Sequence, residues 1–135
     1  MRECDFAAFA SQRGLNKSIS LKPGEFLFRE GDDADALYIV TRGTLRVTSG
    51  SALYEVVQGG GLVGEMALVD DTMPRSASVI ASTFAELIRI DRDEFLALVA
   101  DTPEFALMVM SVMARRLRVM NQRYRPHAAV GVGEG

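Results

Sequence analysis

The sequence predicts a mainly β fold with flanking helices, on three observations. Turn signals follow one another at short intervals from Pro23-Gly24 to Asp70-Asp71. Between them lie short runs rich in β-branched and aromatic residues, which suit half-buried strands. After Asp91 the apolar spacing changes to three and four, the mark of a helix. Eight or so short strands at this spacing build a sandwich, a barrel or a jelly roll.

The bulk properties set bounds. A length of 135 residues suffices for one domain with a real core, and 48% apolar content argues against disorder. The net charge of -3 does not point to nucleic acid or to an anionic membrane. Cys4 is the single cysteine and cannot close an internal disulfide. No secretory leader pattern is visible, and no run approaches the roughly 18 apolar residues of a spanning helix. The expected setting is the cytoplasm.

Residues 3 to 12 are expected to form a short helix. Phe6, Phe9 and Ala10 share one face, and Gly14 can end it. Strand-like runs follow at Phe26-Leu27-Phe28, Leu37-Tyr38-Ile39-Val40, Leu45-Arg46-Val47 and Tyr54-Glu55-Val56-Val57. Two more span Ser76 to Ala81 and Phe84 to Ile90. Leu45 and Val47 alternate with Arg46 and Thr48, giving one buried and one wet face. Gly24 after Pro23 fits a type II turn. Gly31 and Gly43 suit tight reversals.

The helical part opens at Asp91, an N-cap with Glu94 three residues on in a capping-box pattern. Phe95, Leu98 and Val99 supply that helix with an apolar face. Asp101 or Thr102 caps the next, with Pro103 in its first turn. Phe105, Met108, Val109, Val112, Met113, Leu117 and Met120 then recur at helical spacing to about Tyr124, and Pro126 stops the run. This stripe is longer than a small β domain needs, so two copies could pair along it as a short coiled coil. Arg115, Arg116, Arg118, Arg123 and Arg125 read as a solvated face rather than a DNA surface.

The stretch from Gly64 to Val79 carries the chemistry. Glu65 can accept a hydrogen bond from a ligand hydroxyl, and Gly64 allows close approach to the backbone. Met66, Ala67 and Leu68 begin a helical turn whose N–H groups can meet an anion. Arg75 offers a planar fork that matches two phosphate oxygens, and Ser76 adds a hydroxyl and its own N–H. The competing reading is an internal Glu65–Arg75 ion pair across a tight loop. Catalysis is not expected. His127 is the one histidine and falls in the terminal tail, Cys4 has no base nearby, and no ligand set for a metal is apparent.

The run Gly64-Glu65-Met66-Ala67-Leu68 with Pro74-Arg75-Ser76-Ala77 resembles the phosphate-binding cassette of the cyclic nucleotide-binding domain family. The likeness covers roughly residues 15 to 122. It includes Pro23-Gly24-Glu25, Phe28-Arg29-Glu30-Gly31, Leu37-Tyr38-Ile39-Val40 with Arg42-Gly43, and the closing helices. It implies an eight-stranded jelly roll over 15–90 with the cassette at 63–79. A short helix (1–14) precedes it, two helices (91–125) act as hinge, lid and dimerisation element, and a flexible tail (126–135) closes the chain.

The resemblance also implies roles. Gly64, Glu65 and Met66 would face the ribose, and Arg75, Ser76 and Ala67 the cyclic phosphate. Arg116, Leu117, Met120 and Arg123 are lid candidates over the base. The implied function is a non-catalytic cyclic nucleotide receptor, favouring cyclic AMP over cyclic GMP, that moves its last helix on binding and has no cofactor beyond that ligand. The alternative is the same fold used for dimerisation or interaction without a ligand. Two departures stand out: Val63 replaces the phenylalanine many members carry before the glycine, and Met73 lengthens the loop relative to kinase regulatory subunits. The spacing is similar to the bacterial catabolite activator protein, but no helix-turn-helix pattern follows the long helix here.

Overall fold

Eight strands pair into two antiparallel sheets of four in a computed structural model, which describes residues 5–50, 52–69 and 72–123. The strands are β1 (Ser18–Leu21), β2 (Phe26–Phe28), β3 (Ala36–Arg42), β4 (Thr44–Ser49), β5 (Ala52–Gln58), β6 (Leu62–Val63), β7 (Ser78–Ala81) and β8 (Ala85–Asp91). One sheet runs β1-β8-β3-β6 and the other β2-β7-β4-β5. The helices are α1 (Phe6–Arg13), α2 (Met66–Val69), α3 (Arg92–Asp101) and α4 (Glu104–Arg123). The fold is the jelly roll with a short N-terminal helix and C-terminal helices. The chain divides into two compact units, Met1–Ala97 and Leu98–Gly135.

In the first unit the inner faces of both sheets meet in one core. Leu21, Tyr38, Val40, Leu45, Val57, Val63, Val79 and Leu87 belong to it. β3 is buried on both faces, because α1 lies against its outer side; Leu37 and Ile39 are fully buried there. Each such side chain contributes about 1.5–3 kcal/mol relative to exposure. α1 itself is capped by local chemistry. The Asp5 carboxylate accepts from the Ala8 N–H, and Gly14 closes the helix in the left-handed conformation. Phe6, Phe9 and Ala10 form its buried face.

The turns follow their residues. The Glu25 N–H donates to the Lys22 carbonyl at 3.0 Å around Pro23-Gly24, and Gly24 has φ 88°. At Gly43 φ is 92°, and a Cβ would stand 2.2 Å from the Phe84 carbonyl oxygen, so only glycine fits between β3 and β4.

Three expectations need correction. The strand expected from Ser76 begins at Ser78, because the preceding residues are held in a loop. The simple alternation expected along β4 breaks at Thr48, which is half-buried: the register against β5 shifts between Val47 and Thr48. β1 and the two-residue β6 were not among the expected runs.

α3 begins with the expected reciprocal cap. The Glu94 N–H donates to Asp91 Oδ1, and the Asp91 N–H donates to Glu94 Oε1, each at 2.9 Å. Phe95, Leu98 and Val99 are half-buried, not buried. In the second unit α4 runs for 20 residues. Cys4, Asp70, Asp71 and the tail with His127 lie outside the described residues.

Candidate functional site

Two polar side chains are buried among the described residues, and both belong to the expected cassette: Glu65, 5% exposed, and Arg75, 6% exposed. Gly64 turns the chain from β6 into α2 with φ 81°. A Cβ there would meet Arg75 Nη1 at 2.9 Å and the Ala36 carbonyl oxygen at 3.1 Å. The absence of a side chain at Gly64 is therefore what lets the guanidinium lie against the backbone.

Arg75 is held at both its backbone and its head. Its N–H donates to the Asp32 carbonyl at 2.8 Å, and its carbonyl accepts from the Gly31 N–H at 2.9 Å, so the turn after β2 carries the residue. Nη1 donates to the Gly64 carbonyl at 3.2 Å and Nη2 to the Ala36 carbonyl at 2.8 Å. The guanidinium carbon sits 3.8 Å from the centre of the Phe28 ring. Asp35 approaches Nη2 only to 3.8 Å; its carboxylate is 64% exposed and also takes a 3.1 Å bond from Arg89. Among the described residues, Arg75 Nε is buried without a hydrogen-bond acceptor. Burial pushes the guanidinium down from its ordinary value, while Tyr38, Asp35, Glu65 and Asp32 push it back up. A buried cation with an unused N–H, whose ion-pair partner Asp35 stands 3.8 Å off and is largely exposed, is suited to receive an anion.

The other expected site residues fall as follows. Gly64, Glu65 and Met66 lie in sequence at the α2 entrance, with Met66 55% exposed. Ala67 is buried and Ser76 exposed beside Arg75. The N–H groups of Ala67 and Leu68, expected to be open to an anion, are not: they donate to the Gly64 and Glu65 carbonyls at 3.2 and 3.1 Å, because a four-residue helix closes its first turn on itself. The lid candidates lie on α4, in the second unit. There Arg116 is half-buried and Leu117 is 61% exposed; the side chains of Met120 and Arg123 lie outside the described ones.

Sequence reasoning missed three partners of the site. Phe28 and Ala36 touch Arg75 from positions far back in the chain, and no local pattern marks such contacts. Arg92, the first residue of α3, donates through Nη1 to the Leu68 carbonyl at 2.8 Å and so ties the end of the cassette helix to α3.

Comparison with known proteins bears on this geometry. Residues 18–102 match the family model described as "Cyclic nucleotide-binding domain". The chain is 37% identical over 121 residues to the Cyclic AMP receptor protein of Thermus thermophilus, covering 86% of this chain and 53% of that one. It is 30% identical over 120 residues to a CRP-like cAMP-activated global transcriptional regulator of Mycobacterium tuberculosis, covering 85% and 53%. Among solved structures, the Thermus thermophilus Catabolite Activator Protein is similar with a TM-score of 0.74 at 30% identity, covering 85% of this chain and 57% of that chain. The chain thus spans about half the length of these relatives.

Proposed function

The chain belongs to the cyclic nucleotide-binding domain family, and on that premise we propose that it is a cyclic nucleotide receptor, preferring cyclic AMP to cyclic GMP. The observation that carries this reading is the buried Arg75 guanidinium, whose Nε–H has no acceptor among the described residues. A cyclic phosphate supplies the missing acceptor and carries a negative charge to the buried face of the group. Glu65 takes the ribose hydroxyl, and Gly64 and Met66 flank the sugar. Ala67 and Ser76 frame the phosphate. The relatives that respond to cyclic AMP by name support the choice of base.

On this reading the protein works by binding and not by catalysis, in the cytoplasm. The output is a movement of α4, which carries the lid candidates Arg116, Leu117, Met120 and Arg123. Ligand shifts that equilibrium only through its different affinity for the two states. An unidentified effector protein receives the movement.

A second reading has its own observation. Phe105, Val109 and Val112, expected in the pairing seam, are buried; the exposed apolar stripe of α4, at spacings of three and four, is instead Leu107, Met110, Ala114 and Leu117. That stripe suits pairing with a second copy, with or without a ligand. Light scattering on the purified protein separates monomer from dimer.

The deciding experiment is a thermal-shift comparison with cyclic AMP, cyclic GMP and 5′-AMP. A ligand at one hundred times its Kd stabilises by about 2.7 kcal/mol, enough to move the midpoint by several degrees. A rise with cyclic AMP above that with 5′-AMP is expected. No rise with either cyclic nucleotide would remove the receptor reading and leave the pairing one.

A further inference from the structure

Phe28 is the last residue of a three-residue strand, and its ring lies against Arg75 and close to Gly64. The guanidinium carbon of Arg75 is 3.8 Å from the ring centre. A Cβ on Gly64 would lie 3.4 Å from Phe28 Cε2, so the same ring borders the glycine that seats the guanidinium. The strand is built to aim it. Phe26 pairs with Ile80 and Phe28 with Val79, so two residues of β2 are spent against one of β7. This irregularity lets Leu27 and Phe28 both pack on the core, while Phe26 stays outside with its own ring under Arg29. Phe28 is further steadied by Tyr38, with ring centres 6.2 Å apart.

Three constraints on the Arg75 head divide its surface. The Gly64 and Ala36 carbonyls each take one Nη hydrogen, in the plane of the group. Phe28 covers one flat face. The Nε edge is left. Carbonyls alone let a guanidinium rock about the line joining them; a ring at stacking distance stops that motion and also excludes water from one face. We infer that Phe28 is a positioning residue for anion binding: its ring holds the Arg75 fork flat, so that the Nε edge meets the ligand phosphate without reorganisation. Less ordering is then left to be done on binding, and affinity rises. This inference rests on the reading of Arg75 as the phosphate ligand.

The test is a double-mutant cycle read by calorimetry with cyclic AMP. It uses the wild-type chain, Phe28→Leu, Phe28→Tyr, Arg75→Lys, and Phe28→Leu combined with Arg75→Lys. The melting midpoint of each without nucleotide checks folding. Lysine keeps the charge but has no planar face for the ring to cover. Phe28→Leu is expected to weaken binding about tenfold, and Phe28→Tyr, which keeps the ring, by no more than about twofold. Added to Arg75→Lys, Phe28→Leu is expected to change affinity by less than about twofold. An equal loss in both backgrounds overturns the proposal, since the ring then acts on the pocket without acting through the guanidinium. Wild-type affinity in Phe28→Leu overturns it as well. If Phe28→Leu does not fold, Phe28→Met is judged by the same criteria. A wild-type chain that binds no cyclic nucleotide overturns the reading of the site itself, and this inference with it.

Discussion

Arg75 and Gly64 occupy each other's space: the guanidinium Nη1 donates to the Gly64 carbonyl at 3.2 Å, and a Cβ on Gly64 would stand 2.9 Å from that same nitrogen. The neighbour that cannot yield is the Ala36 backbone carbonyl, 3.1 Å from the same Cβ. Gly64→Ala therefore combines a left-handed φ with a blocked cradle. We expect it to cost about 1–3 kcal/mol of stability. Urea unfolding gives the stability loss, and calorimetry should show cyclic AMP binding abolished. A variant of wild-type affinity would mean that Arg75 does not need this seat.

Arg75→Ala should weaken cyclic AMP binding by about 2–5 kcal/mol, the range for removing one partner of a buried charged pair. Glu65→Gln should weaken it less, because an acceptor oxygen survives for the ribose hydroxyl. The comparison is made by calorimetry on both variants. Near-normal affinity in Arg75→Ala would refute its assigned role. Failure of Glu65→Gln to fold would make that carboxylate structural.

Gly43 tests the fold and not the site. Its Cβ would lie 2.2 Å from the Phe84 carbonyl and 2.7 Å from the Ala85 Cα, both backbone atoms of the entry to β8. Gly43→Ala should cost roughly 3 kcal/mol or more. The measurement is the urea midpoint. A shift of less than a third of that would show that β3 and β8 separate easily.

The first turn of α3 should loosen at both extremes of pH. The Glu94 N–H, then Lys17 and Arg89, hold the Asp91 carboxyl below its ordinary value of 3.8. Its contribution is present above 3.8 and is lost as pH falls through the lowered folded value. Lys17, bonded to Glu94, is raised above its ordinary 10.5. That contribution is present below 10.5 and lost as pH rises through the raised value. Melting midpoints across pH should show a flatter acid limb in Asp91→Asn and a flatter alkaline limb in Lys17→Met. Unchanged limbs in both variants would show that other groups govern them.

What the sequence discloses about this molecule depends on how far its contacts reach. The caps of α1 and α3 join residues three apart, so Asp5 and the Asp91–Glu94 pair act within one turn; the reciprocal cap at Asp91 was read directly from the sequence. The Phe6, Phe9 and Ala10 face follows from helical spacing in the same way. β6 escaped because two residues carry no period. At the site, Glu65 and Arg75 are legible as an acceptor and a cation, but their burial is not. Arg75 owes its burial to Ala36 and Phe28, which come from the start of the inner strand β3 in one sheet and from the bulged strand β2 in the other. No spacing rule ties position 28 to position 75.

The two backbone bonds that fasten Arg75 to the Gly31-Asp32 turn have a consequence for tolerance to change. The cation's location is set by a turn encoded far upstream, and its other end is gripped by β3. A length change beside Gly31-Asp32 should therefore displace the charge as surely as one beside Arg75 itself, so the anion seat constrains the chain at two places far apart in the sequence.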